Sequence, residues 1–189
     1  MQEFELLSLS HFLAFSICLA AIVFIPKAIQ SKPGLENFSK YLLVILLIEN
    51  QIRSTYIETW IKGGNLLENL PLHLCDFSAI VIAAFLLTGF RPLFIFAYFW
   101  GIAGAGMSIL TPDSEFAFPH YEYFATMYGH SLILLAVVFS IVNLGQRPYL
   151  RDIPKLIIYS SILLAIMYGI NYILGANYWY LNERPYGDN

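Results

Sequence analysis

"YFATMYGHSLILLAVVFSIVN" (residues 123–143) decides the architecture. The stretch contains no Asp, Glu, Lys or Arg. As a helix rising 1.5 Å per residue it spans about 30 Å, the thickness of a bilayer's hydrocarbon core. One residue is out of place in it: His130, about two turns in. The composition of the whole chain agrees with a membrane origin. Of its 189 residues, 58% are hydrophobic and 12% charged, and the mean hydropathy is +0.65. Soluble domains carry about 25% charged residues.

Five more segments of similar character flank this one, at roughly 6–25, 41–61, 72–87, 93–110 and 154–174. Turn residues punctuate them. Pro26-Lys27 ends the first, and Gly63-Gly64-Asn65 follows the second. Gly89-Phe90-Arg91-Pro92 stops the third, Thr111-Pro112-Asp113 the fourth, and Gly145 to Pro148 the fifth. The pattern predicts an all-α, polytopic transmembrane bundle of six spans, forming a single domain over residues 1–189. The start, MQEFELLSLSHFLAF, lacks the basic region of a cleaved signal, so the first apolar run is expected to be a retained helix. Two cysteines, Cys18 and Cys75, make no disulfide framework. A net charge of −3 without a basic run gives no reason to expect nucleic acid.

The bases orient the bundle. Lys27, Lys32, Lys40, Arg91, Arg147, Arg151 and Lys155 fall in the odd-numbered loops, against Lys62 and Arg184 elsewhere outside the helices. The positive-inside rule then places loops 26–40, 88–92 and 145–154 in the cytoplasm and the N-terminus outside, in a multi-pass protein of the cell membrane. Glu3, Glu5, Glu68, Asp113, Glu115 and Glu122 collect on the outer side.

Ionisable residues inside a span cost about 2.5 to 3.5 kcal/mol each on insertion scales, so they usually face a partner or a cavity. Glu49 and Arg53 share a face at i, i+4, which Tyr56 and Trp60 continue. They are either a mutually neutralising pair or the wall of a cavity, in which Arg53 would hold an anionic headgroup. In "LPLHLCDF" (70–77), His73 and Asp76 share a face, as a polar cap wetted at the membrane surface or as a cavity-facing pair with Asp76 fixing the imidazole. Cys75 points elsewhere by helical geometry. His130 is either an interhelical hydrogen-bonder or a general base. Asn171 shares a stripe with Tyr168, Tyr172 and Gly175, which fits an interfacial belt or a cavity wall. Ala97, Gly101, Gly104 and Ser108 form a small-residue stripe for close helix packing. With the predicted topology, Arg53, His73, Asp76, His130 and Asn171 all fall in the outer half of the bundle. That agreement argues for one outward-opening cavity. No HExxH, P-loop, GxSxG or CxxC motif accompanies it, and no metal or cofactor is expected.

The series "LPLHLCDF" (70–77), "LTPD" (110–113), "FPHYEYF" (118–124) and "GHSLIL" (129–134) resembles the YwaF family of bacterial integral membrane proteins. That family groups with the lipid acyltransferase transmembrane protein 164. More distantly, both resemble the androgen-induced/ADTRP membrane hydrolases of fatty-acid esters. The resemblance implies seven helices, and the chain ends where the last would begin, as a truncated chain would. It implies acyl chemistry with a thiol or hydroxyl and a histidine, and the histidine matches His130. The nucleophile position, between Pro71 and His73, holds Leu72 instead of cysteine. Cys75, one helical turn further, is then the candidate nucleophile, with Ser78 and Thr126 as other hydroxyls. The expected function is a lipid-active acyltransferase or ester hydrolase: His130 and Cys75 catalytic, and Glu49, Arg53, His73, Asp76 and Asn171 binding substrate. Membrane lipids are its expected partners. A non-catalytic binder or transporter using the same cavity is the alternative, and an accessory subunit packing through the small-residue stripe is a third.

Overall fold

A computed structural model describes residues 4–6, 8–112, 114 and 116–183. The expectations concerning Glu3, Asp113, Glu115 and the tail 184–189 lie outside them. The described chain is all-helical. Its long helices are α1 (Leu9–Ile29), α2 (Pro33–Tyr56), α3 (Leu74–Thr88), α4 (Arg91–Leu110), α5 (Tyr121–Val142) and α6 (Ile153–Leu174). The six helices expected from the sequence are these six. By length and apolarity alone, α1, α4, α5 and α6 qualify as membrane spans. The two that do not are α2, interrupted by Glu36, Lys40, Glu49 and Arg53, and α3, only 15 residues long. Their polar ends face one another and the interior.

Two boundaries differ from the sequence reading. Pro26 does not end α1, which continues to Ile29. A proline removes one donor, but its carbonyl still accepts, here from Gln30 N–H at 3.1 Å and from Asn143 Nδ2 at 3.2 Å. α2 begins eight residues before the apolar run, because Pro33 sits at its first turn and Glu36 follows, both favourable at a helix start. The Glu36 carboxylate also accepts Ser31 N–H at 2.8 Å.

Two π-helical turns interrupt the regular geometry. One, Ile57–Ile61, prolongs α2; the other, Gly101–Ala105, lies inside α4. Neither is legible in apolar periodicity.

Lipid tails are as apolar as leucine, so packing within a bilayer relies on close contact rather than on escape from water. The core follows that rule. Ala79, Ala83, Ala97, Ala105 and Ala136 are buried where α3, α4 and α5 meet, and Phe85, Phe94 and Phe139 fill the spaces between them. Gly101 lies so close to α5 that an added Cβ would stand 3.1 Å from Ile133 Cγ2. α1 lies along α5 and is pinned by buried His11. The His11 Nε2 bonds the Leu110 carbonyl at 3.1 Å, so Nε2 carries the hydrogen and Nδ1 accepts from the Tyr123 hydroxyl at 2.9 Å. α6 is the least enclosed helix, with Met167 and Asn171 its buried residues.

Candidate functional site

α2, α3 and α5 bring their polar residues to one end of the bundle, around a cavity of about 360 Å³. From α2 and its π turn come Asn50, Gln51, Arg53, Ser54, Ile57 and Glu58; from α3, Cys75 and Asp76; from α5, Tyr121, Glu122, Thr126, Gly129 and His130. Periodicity explains the set. Asn50, Arg53 and Ile57 repeat at three and four residues along α2, as do Glu122, Ala125 or Thr126, Gly129 and Ile133 along α5.

His130 sits in the wall with its tautomer set by the helix. Its Nδ1 is 2.8 Å from the Thr126 carbonyl oxygen, which can only accept. Nδ1 therefore carries the hydrogen, and Nε2 is left with a free lone pair. The imidazole is oriented by its own helix through this bond.

Cys75 and Asp76, which helical geometry set on different faces, both border the cavity. They stand in the first turn of α3, and adjacent residues about 100° apart can both reach a wide concavity. Leu72, by contrast, precedes the helix, so it does not share a helical face with Cys75. Its carbonyl instead accepts the Trp179 indole N–H at 2.8 Å. The Cys75 thiol packs against Gly104, where an added Cβ would be 3.3 Å from Sγ, and lies within hydrogen-bond reach of Ser108. Two members of the small-residue stripe therefore make room for the thiol as well as for the backbone.

His73 is the residue that caps α3. The Asp76 carboxylate accepts its backbone N–H at 3.2 Å, and the ring packs edge-on against Tyr178 with centroids 5.1 Å apart. The expected imidazole–carboxylate bond gives way to this backbone bond. His73 lines a smaller side chamber of about 120 Å³, which shares Gln51, Ser54, Glu58 and Asp76 with the main cavity.

Arg53 is tethered on three sides. Nε donates to Glu49 Oε1 at 3.1 Å, one terminal nitrogen donates to Asn50 Oδ1 at 2.5 Å, and the other donates to the Tyr121 hydroxyl. Tyr128 lies beneath the guanidinium at 5.7 Å. Three of its five N–H donors are used, leaving two. The pairing of Glu49 with Arg53 is therefore real, and Arg53 also faces the cavity. Glu49 lies outside the cavity lining, on a shallow apolar groove with Ile45, Ile48, Ile52 and Tyr56. Tyr56 and Trp60 stack with each other at 5.6 Å and face outward.

Asn171 lies apart from the cavity lining. It is buried, and its side-chain amide exchanges two hydrogen bonds with the Tyr178 backbone at 2.8 and 2.9 Å. Tyr168 and Tyr172 of the same expected stripe are 60% and 87% exposed, so the stripe splits between interior and outer surface. Ser78 is buried and bonds the Leu74 carbonyl at 2.8 Å, away from the cavity. Thr126 lines it.

Several lining residues escaped the sequence reading. Gln51 is 6% exposed, and its Oε1 has no hydrogen-bond partner among the described residues. Its signal was its position two residues before Arg53, in a segment otherwise read for charge. Gly129 lets Asn50 approach, since a Cβ there would stand 2.9 Å from Asn50 Nδ2. At the mouth, Lys62 bridges Glu58 at 3.0 Å and Glu122 at 2.6 Å. Burial works against the charged Lys62 amine, but the two carboxylates outweigh it and hold the group above its ordinary value of 10.5.

The arrangement offers an imidazole nitrogen without a partner among the described residues, a thiol, a carboxylate and a tethered guanidinium around one concavity between α2, α3 and α5. No solved structure matches the chain significantly. An uncharacterized protein of Treponema pallidum (strain Nichols) is 27% identical over 179 residues, covering 93% of this chain and 74% of that protein. The sequence model of the TMEM164 family matches residues 4–189, nearly the entire length; the chain is a multi-pass membrane protein and belongs to the TMEM164 family.

Proposed function

We propose that this is a membrane-embedded enzyme that transfers or hydrolyses the acyl group of a lipid ester in the cavity between α2, α3 and α5. One observation carries the proposal: Cys75 and His130 line the same cavity, and the His130 tautomer leaves Nε2 free to accept a proton. Membership of the TMEM164 family supports a lipid-related role.

In the proposed chemistry, His130 Nε2 takes the Cys75 thiol proton as Sγ attacks the ester carbonyl carbon. The carbonyl π electrons move to oxygen, and the tetrahedral intermediate collapses with cleavage of the ester C–O bond. The departing alkoxide takes the proton back from His130, leaving an acyl thioester on Cys75. A second alcohol, or water, then gives its proton to His130, attacks the thioester and releases the thiolate, which is reprotonated from His130. Arg53, with two N–H donors unused, binds the phosphate of the substrate headgroup beside the mouth. Asp76 and Gln51 bind polar substrate groups in the floor, while His73 and Glu49 bound the side chamber and outer groove.

The test uses purified protein in nanodiscs with a fluorogenic phospholipid ester, comparing wild type with His130→Gln and Cys75→Ser. Turnover is expected to fall about 100-fold or more in the histidine variant, and to be abolished in the cysteine variant. Equal turnover in all three would overturn the proposal. A non-catalytic binder is the second reading, favoured by the rigid tethering of Arg53. It would show lipid-dependent thermal stabilisation with no turnover in wild type.

A further inference from the structure

A second concavity lies at the opposite end of the bundle, between α4 and α6. It measures about 500 Å³, within the usual range for ligand sites. Its two ends differ. Near the starts of both helices it holds Arg91, Asp152 and Lys155; further in it is walled by Ile95, Phe96, Tyr159, Ile162 and Leu163. From Lys155 to Leu163 the apolar part extends about 12 Å along α6.

The charges at the polar end are unevenly satisfied. Asp152 is the one carboxylate lining the groove, and Arg91 grips both its oxygens, at 3.0 and 2.8 Å. Asp152 also accepts Tyr149 N–H at 2.8 Å, and Arg91 bonds the Arg147 carbonyl at 3.0 Å. That pair is internally neutralised. Lys155 is exposed and has no ion-pair partner among the described residues. Arg147 and Arg151, also exposed, stand on the adjoining loop. The groove thus presents an unneutralised ammonium group above an apolar cleft about 12 Å long, between two helices that both qualify as spans.

We infer that this groove binds an anionic membrane phospholipid, with its phosphate against Lys155 and one acyl chain between α4 and α6. Polarity fits at both ends: a cation without a protein partner meets the headgroup, and aliphatic and aromatic walls meet the chain. A zwitterionic lipid offers the same chain but no net charge to Lys155. The positive-inside rule puts this end in the leaflet that carries anionic lipid. The site is separate from the polar cavity and does not depend on chemistry there.

The test is lipid retention by native mass spectrometry, after incorporating the protein into nanodiscs of mixed phosphatidylglycerol and phosphatidylcholine. Wild type should retain phosphatidylglycerol preferentially, and Lys155→Gln should weaken that preference about fivefold, as expected for one interfacial cation. Ile162→Trp, which fills the apolar cleft, should displace the lipid while leaving Lys155 intact. Soluble glycerol phosphate should compete poorly, because it lacks the chain. Equal retention of the two lipids by wild type would overturn the inference, as would unchanged retention in either variant. So would photocrosslinking from Tyr159 that captures a protein segment in place of lipid.

Discussion

His130 and His11 show how the same side chain is assigned opposite work by its surroundings. In His11 both ring nitrogens are occupied, one by the Leu110 carbonyl and the other by the Tyr123 hydroxyl. In His130 one is occupied and the other has no partner among the described residues. His11→Ala strands a buried hydroxyl and a carbonyl, so it should lower stability by about 1 to 3 kcal/mol without a direct effect on the cavity. Asn171→Ala should do the same, since the Tyr178 backbone loses both partners. Denaturation of each variant in detergent checks these values, and wild-type stability in Asn171→Ala would contradict the structural role described. Lys62 makes a pH-dependent contribution. Its folded pKa is raised, so the stabilisation is fully present below the ordinary 10.5 and is lost as pH rises through the higher folded value. Lys62→Met should remove that alkaline loss from a stability–pH profile. At this scale the sequence was only half legible. Arg53, Asp76 and His130 declared themselves because charge and imidazole are costly in a bilayer. Gln51 and Asn50 are neutral and common at helix ends, and their importance comes from the direction they face. Asn171 shared its depth with the site residues but turned inward to cap the loop after α6.

Among the elements, the two π turns matter most to the site. π-helical bulges rotate the residues that follow them relative to a regular helix and recur at functional sites. The first presents Ile57 and Glu58 to the cavity, and the second places Gly104 against the Cys75 thiol. Gly104→Ala puts a methyl group 3.3 Å from Sγ, so the thiol must shift by a few tenths of an ångström. The expected result is a folded protein whose Cys75 reacts with a maleimide at a changed rate. An unchanged rate would mean that α4 does not set the thiol's position. Gly129→Ala pushes instead on Asn50, at 2.9 Å, and through it on the Arg53 tether. It should impair substrate binding more than stability, read as a raised KM. Helix number and order were readable from apolar runs and turn residues. Pro26 misled because a proline near a helix end removes only a donor, while Asn143 and Gln30 use its carbonyl. The π turns were invisible because they change hydrogen-bond register without changing composition.

For the whole molecule, the polar cavity and the basic groove lie at opposite ends of the bundle, and the helices between them are coated with apolar side chains on α1 and α6. Charge asymmetry predicts an outward-facing cavity end. Cysteines introduced at Asn65 and at Gly145 should then label from outside and inside, respectively, with a membrane-impermeant maleimide. Reversed labelling would place the cavity in the cytoplasmic leaflet. The depth agreement among α2, α3, α5 and α6 was the strongest whole-chain signal in the sequence; α2, α3 and α5 do converge on the cavity, but Asn171 of α6 lies apart from its lining, and the mouth residues Lys62, Glu58 and Glu122 were not part of the agreement. The most direct measurement of the proposed chemistry is peptide mass spectrometry after incubation with a phospholipid ester. A hydroxylamine-sensitive acyl group should be found on Cys75 in the wild type and be absent from His130→Gln; an unmodified Cys75, or equal acylation in both proteins, would contradict the shared role of these two residues.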